Sequence, residues 1–115
     1  MSKLPYIPHA GDIIWLVFDP RVGHEQSGRR PAIVLSPHLF SQRTGLAIVC
    51  PITSKVKGLP FEILLTKTKT KTKGAILPIH IKSVDITARK AQFIEKAGAS
   101  TLKKTREYVR IITEG

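Results

Sequence analysis

The chain has 115 residues, 42% of them hydrophobic: enough for one domain with a modest core, and too apolar for a disordered chain. Nineteen Lys and Arg oppose eight Asp and Glu, a formal net charge of +11, which favours a polyanionic partner such as nucleic acid. A single cysteine, Cys50, excludes an internal disulfide and a cysteine-based zinc site.

No run of about 18 apolar residues occurs, so no membrane-spanning helix is expected. No strongly basic amphipathic helix with an aromatic face is present either, so a membrane surface is the weaker partner class. The opening MSKLPYIPHAGD has one lysine and two prolines where a secretory signal has an apolar stretch. A cytoplasmic protein, one domain over residues 1–115, is the expectation.

Residues 1–10 suit an irregular arm, because Pro5 and Pro8 withhold backbone donors. Residues 12–18 (DIIWLVF) form an apolar, β-prone run, and residues 32–35 (AIVL) a second. The loop between them holds Gly23, His24, Glu25, Gln26, Gly28, Arg29 and Arg30. Polar and titratable groups pinned between two strands make this the first place to look for chemistry; the plainer alternative is a solvated hairpin loop. Residues 38–45 read as a turn or short helix, and residues 46–51 (LAIVCP) as a central strand buried on both faces.

Residues 52–58 (ITSKVKG) form a second polar loop, and residues 61–65 a strand with Phe61, Ile63 and Leu65 on one face. Residues 66–73 are four Thr-Lys repeats, read as a solvated hairpin extension whose lysines discourage edge pairing, with a phosphate ladder as the alternative. Residues 75–81 (AILPIHI) are strand-like, with Pro78 restricting them to an edge or bulge. Residues 84–94 read as one irregular strand. Ser100 is the expected cap of a helix over residues 101–113, with Leu102, Thr105, Val109 and Ile112 on one face, widened by Tyr108. Six or seven short strands and one terminal helix give a mainly β (α+β) fold, a small twisted barrel.

No nucleophile elbow, P-loop or His/Glu metal motif occurs, and the four histidines are scattered, so no metal site or cofactor is assigned. The two polar loops do hold what RNA cleavage needs without a metal. A base must take the proton of the 2′-hydroxyl, an acid must serve the leaving 5′-oxygen, and cations must hold the added negative charge. DNA lacks that nucleophile. His24 and Glu25 are the candidate proton carriers. Arg30 offers a planar fork of donors to phosphate oxygens, and stays protonated, so it is a poor base. Thr53 can donate a hydrogen bond to a phosphate oxygen, and Lys55 and Lys57 can neutralise the neighbouring backbone. Plainer roles stand beside these: Arg30 pairing with Glu25 or Asp19, Thr53 closing a turn, His80 packing at an edge.

The string Gly11-Asp12-Ile13-Ile14-Trp15, Phe18-Asp19-Pro20, Gly23-His24-Glu25-Gln26, Arg30-Pro31-Ala32, Val34-Leu35-Ser36-Pro37, Pro51-Ile52-Thr53, Lys57-Gly58 and Pro60-Phe61-Glu62 resembles the MazF/PemK family of toxin endoribonucleases. The likeness runs from about Gly11 to Arg89, and many motifs in one order are more specific than any one of them. The resemblance implies an SH3-like β-barrel with a C-terminal helix, acting as a homodimer. It implies metal-independent cleavage of single-stranded RNA at short motifs, leaving a cyclic phosphate and a 5′-hydroxyl, and neutralisation by a cognate antitoxin with an acidic, flexible tail. Arg30 and Thr53 take the places of the catalytic pair, and Glu25 and Lys57 those of further motif residues. Phe18, His24, Gln26, Ser54, Lys55, Lys57 and His80 are the expected RNA contacts.

Two departures stand out. Ile79-His80 replaces an Asp-Gln or Asn-Gln pair whose acidic residue serves some relatives as base; Ile79 cannot act so, whereas His80 can substitute or only shape RNA binding. The Thr-Lys repeat falls in a loop that differs among members. The alternative from another class is a non-catalytic binding module, because gyrase-poisoning toxins share this barrel. Such a module would not need Glu25, Arg30 and Thr53 together.

Overall fold

A computed structural model describes residues 5–18, 28–66 and 68–115. Its centre is three antiparallel strands, β1 (Asp12–Val17), β2 (Arg29–Val34) and β3 (Leu46–Thr53). β1 pairs with β2 from Ile13↔Ile33 to Val17↔Arg29, and β2 pairs with β3 from Val34↔Val49 to Ala32↔Pro51. The remaining strands are β4 (Ile63–Leu64), β5 (Ala75–Ile76), β6 (Lys82–Asp85) and β7 (Gln92–Lys96), giving the order β4-β5-β3-β2-β1-β7 with β6 also on β3. The sheet closes partway into a half-barrel with a C-terminal helix, as the sequence led us to expect.

Both faces of the central strands are buried, which is why β1 to β3 read as continuous apolar runs. Ile13, Ile33, Cys50, Ile52 and Ile76 lie in one core cluster, with Leu102, Tyr108 and Val109 packed against it. Ile14, Leu16, Ala32, Val34, Val49 and Val84 form the other. Alternate residues thus supply alternate cores.

Two helices complete the chain. Helix α1 (His38–Thr44) ends at Gly45, whose φ of 73° fits the left-handed cap and whose N–H donates to the Ser41 carbonyl at 2.8 Å. Helix α2 (Ala99–Glu114) buries Thr101 and Thr105 and is tied to the end of β2 by Arg106 Nη2, which donates to the Leu35 carbonyl at 2.7 Å. Its N-cap position is Gly98, with no side-chain cap; Ser100 lies inside the first turn and does not cap it.

Four further expectations need correcting. The segment 75–81 is not one strand. Pro78 cannot donate to a ladder, so β5 stops at Ile76, a 3-10 turn covers Pro78–His80, and β6 takes over the same edge of β3. The segment 84–94 is two strands. Asp85 Oδ1 accepts from Ala88 N at 2.8 Å and Lys90 has φ 53°, closing a turn between β6 and β7. Only Ile63 and Leu64 of residues 61–65 pair as a strand, because Phe61 is held at φ 65° with its ring edge-on to Tyr108 at 5.4 Å. The Thr-Lys repeat forms no strand among its described residues; its threonines bond inward, as set out below.

The arm before β1 is anchored by a buried carboxylate. Asp12 is 1% exposed and accepts hydrogen bonds from Tyr6 Oη, from His9 N at 3.0 Å and from Lys96 Nζ at 2.7 Å. Burial pushes its pKa up, but these bonds and the Lys96 charge outweigh burial and hold the carboxyl below its ordinary range.

Candidate functional site

The two residues expected to act together come from adjacent strands. The β2–β3 ladder ends at Ala32↔Pro51. Arg30 and Thr53 lie two residues beyond that last pair, at neighbouring ends of β2 and β3, and are not themselves ladder partners. Arg30 is the register partner of Leu16 on β1, and Thr53 that of Ala75 on β5. Arg30 is exposed and Thr53 half-buried.

Thr53 Oγ1 accepts a hydrogen bond from Lys55 N at 3.1 Å, so it does close a turn. That contact uses an acceptor lone pair, and the hydroxyl proton remains available to a phosphate oxygen. The turn and a phosphate contact are therefore compatible.

A cavity of about 460 Å³ is lined by Arg30 but not by Thr53, whose neighbours Ile52 and Ser54 line it. Arg29, Arg30 and Ser54 line it, together with Trp15, Lys71 and Lys73. The Arg29 guanidinium stacks over the Trp15 ring at 4.3 Å, which gives one wall a planar cationic surface. Five cations and hydroxyls around one opening suit an anion.

Phe18 follows β1, packs against the core cluster of Ile14 and Leu16 and is not among the cavity's lining residues. Lys82 Nζ sits over its ring at 4.9 Å, and Arg89 Nη1 donates to its carbonyl at 2.7 Å. Its N–H donates to the Gly28 carbonyl at 2.8 Å. The ring is thus held in place at the strand end.

The remaining expected residues divide. Ser54 lines the cavity, while Lys55 and Lys57 are exposed on the following loop and do not. That loop is shaped by Glu62, whose carboxylate accepts from Lys57 N at 3.3 Å and Gly58 N at 3.1 Å. His80 is exposed on the 3-10 turn and is not among the cavity's lining residues. His24, Glu25 and Gln26 lie outside the described residues.

A model of the PemK-like, MazF-like toxins of type II toxin–antitoxin systems matches residues 9–113. The chain belongs to this family. It is 43% identical over 86 residues to the endoribonuclease toxin MazF of Escherichia coli K12, covering 75% of this chain and 76% of that one. It is 32% identical over 108 residues to the endoribonuclease toxin ChpB of the same strain, covering 90% and 92%. A crystal structure of MazE-MazF from Deinococcus radiodurans superposes with a TM-score of 0.85 at 38% identity, over 95% of this chain and 98% of that chain.

Within this MazF-like chain, several site residues escaped sequence reasoning. Trp15 and Arg29 were read only as strand and loop. Lys71 and Lys73 belong to a repeat read as a solvated edge with a phosphate ladder as the alternative, and they line the cavity with Arg30. Glu95 was not singled out. It accepts from Lys71 N at 2.9 Å, Thr72 N at 2.7 Å and Thr72 Oγ1 at 2.7 Å, and so clamps the Thr-Lys loop to β7. Desolvation pushes its pKa up, but these bonds and the Lys71 charge win and leave it below its ordinary value. The alternation of Thr and Lys was the available signal: Thr68, Thr70 and Thr72 are the less exposed set, and Lys69, Lys71 and Lys73 the exposed one.

Proposed function

We propose that this MazF/PemK-family chain is a toxin endoribonuclease that cleaves single-stranded RNA without a metal ion, acting as one catalytic unit over residues 1–115. The observation that supports the reading is the family match over residues 9–113, beside which stands a cavity that Arg30 lines with three other cations. The 2′-oxygen attacks the adjacent phosphorus and loses its proton to a base. The P–O5′ bond breaks, and the 5′-oxygen takes a proton. The products are a cyclic phosphate and a 5′-hydroxyl. Arg30 holds the extra negative charge of the pentacovalent phosphate through its guanidinium fork, and Thr53 positions a phosphate oxygen. Glu25 or His24 is assigned to the proton on the sequence motif alone. Phe18 and Ser54 flank the strand, with Gln26, Lys55, Lys57 and His80 as further contacts.

The family and the MazE-MazF relatives support a cognate antitoxin, which we assign an acidic, flexible tail on charge complementarity with a +11 chain. We assign a homodimer and a cytoplasmic location on the same family grounds; among the described residues no helix is long and apolar enough to cross a membrane. The test is incubation of purified protein with single-stranded RNA in EDTA, beside Arg30→Ala. Cleavage by the parent and not by the variant supports the reading. Binding without products assigns the chain to the non-catalytic class instead.

A further inference from the structure

The Thr-Lys loop is a built element: Thr68, Thr70 and Thr72 bond within it or to Glu95, and Lys73 Nζ also donates to the Thr68 carbonyl at 3.3 Å. Thr68 Oγ1 donates to the Leu65 carbonyl at 2.7 Å and lies 2.7 Å from Thr70 Oγ1. Thr70, 8% exposed, meets the Thr72 carbonyl at 3.0 Å. Thr72 is tied through its hydroxyl and amide to Glu95. All three hydroxyls are therefore consumed in shaping the loop. Lys69, Lys71 and Lys73 are exposed. Of these, Lys71 and Lys73 line the cavity that also holds Arg29, Arg30 and Ser54. Glu95, the acid nearest the loop, spends its carboxylate on loop donors, and among the described residues no ion pair joins it to either ammonium.

We propose that Lys71 and Lys73, held in place by Glu95, form a phosphate-binding wall for the RNA backbone next to the scissile position. This rests on the endoribonuclease reading above and names part of its substrate contact. A lysine on a free loop loses chain entropy on meeting a phosphate, whereas one on a clamped loop loses less. Glu95 is a positioning residue here: it acts through the loop and touches no RNA.

A 2′-O-methyl RNA oligonucleotide lacks the nucleophile, so its binding is measured free of cleavage. The dissociation constant is followed from low to physiological salt for the parent, for Lys71→Gln/Lys73→Gln, and for Lys103→Gln/Lys104→Gln, which removes the same charge from exposed helix positions. Each phosphate contact on a single strand contributes about 0.7 to the slope of log K against log salt, so the loop variant loses about 1.4 and the helix variant stays near the parent. Equal slopes in the two variants overturn the proposal. Glu95→Ala separates clamp from charge. Removing a carboxylate beside a polyanion strengthens binding on charge alone, whereas loss of the clamp weakens it by about three- to tenfold. Tighter binding by Glu95→Ala removes Glu95 from the proposal. The parent's cleavage of unmodified RNA in EDTA is scored separately: its failure sinks the enzyme reading, and unchanged slopes sink the wall.

Discussion

Gly74 lies so close to Thr53 that a Cβ at residue 74 would stand 2.1 Å from the Thr53 carbonyl oxygen. Its φ of +109° also belongs to glycine. The end of the Thr-Lys loop is thereby pressed onto the strand end that carries the site. Gly74→Ala is expected to cost about 3 kcal/mol, from strain and from backbone displaced at Thr53. A thermal melt reads this as a Tm lower by roughly 10 °C. An unchanged Tm would mean that the close approach is relieved at no cost.

Arg30→Ala is expected to remove about 2–4 kcal/mol of transition-state stabilisation, the scale of a lost oxyanion donor. Arg30→Lys keeps the charge but loses the planar fork, so it recovers only part of the rate. Thr53→Ser keeps the hydroxyl and stays active, whereas Thr53→Ala falls. Single-turnover cleavage of an RNA oligonucleotide in EDTA ranks the four. Full activity in Arg30→Ala would end the assignment of this guanidinium to the phosphate.

Acid is expected to release the N-terminal arm. Asp12 has a folded pKa below its unfolded value of about 3.9, so its contribution is complete above that value and is lost as pH falls through the folded pKa. Tyr6 has the opposite sign. Its pKa is raised, first by burial and then by the bond to Asp12, so its contribution holds below about pH 10 and fades as pH climbs further. Chemical denaturation at several pH values checks both. In Asp12→Asn the loss of stability below about pH 4 becomes shallower; an identical acid limb in both proteins refutes the role of this carboxylate.

Cys50 is fully buried in the core between β3 and its neighbours, and burial pushes its thiol up to about 12. Thiolate is the reactive form, so the native protein is expected to resist a thiol reagent at neutral pH and to react fully once unfolded. Rapid labelling of the folded chain would contradict the burial.

The central strands were legible because their apolar runs are β-prone and both faces are covered. Arg30 and Thr53 were legible as motif residues. Their place at neighbouring ends of β2 and β3 was not, because it depends on strand pairing, which no local pattern encodes. Pro78 was correctly read as unable to continue a ladder, but the handover of one β3 edge from β5 to β6 is a tertiary consequence of that break. The turn after Asp85 was hidden because apolar–polar alternation runs on through it. Ser100 is a good capping residue by type, yet the helix begins two residues earlier than expected, at Ala99 behind Gly98. Glu95 was invisible because its partners lie 23 and 24 residues away along the chain. His80 looked like a stand-in for a missing acid, and the 3-10 turn leaves it outside the cavity lining.

The two-residue phase over Thr68, Thr70 and Thr72 has a consequence for how the loop's length can change. Adding or deleting one residue would exchange bonded hydroxyl for exposed ammonium at these positions, burying charge and stranding the Glu95 clamp. Slippage by a whole dipeptide restores the residue type at each of them. Across Thr68–Thr72 an insertion of two residues is therefore expected to disturb these bonds less than an insertion of one.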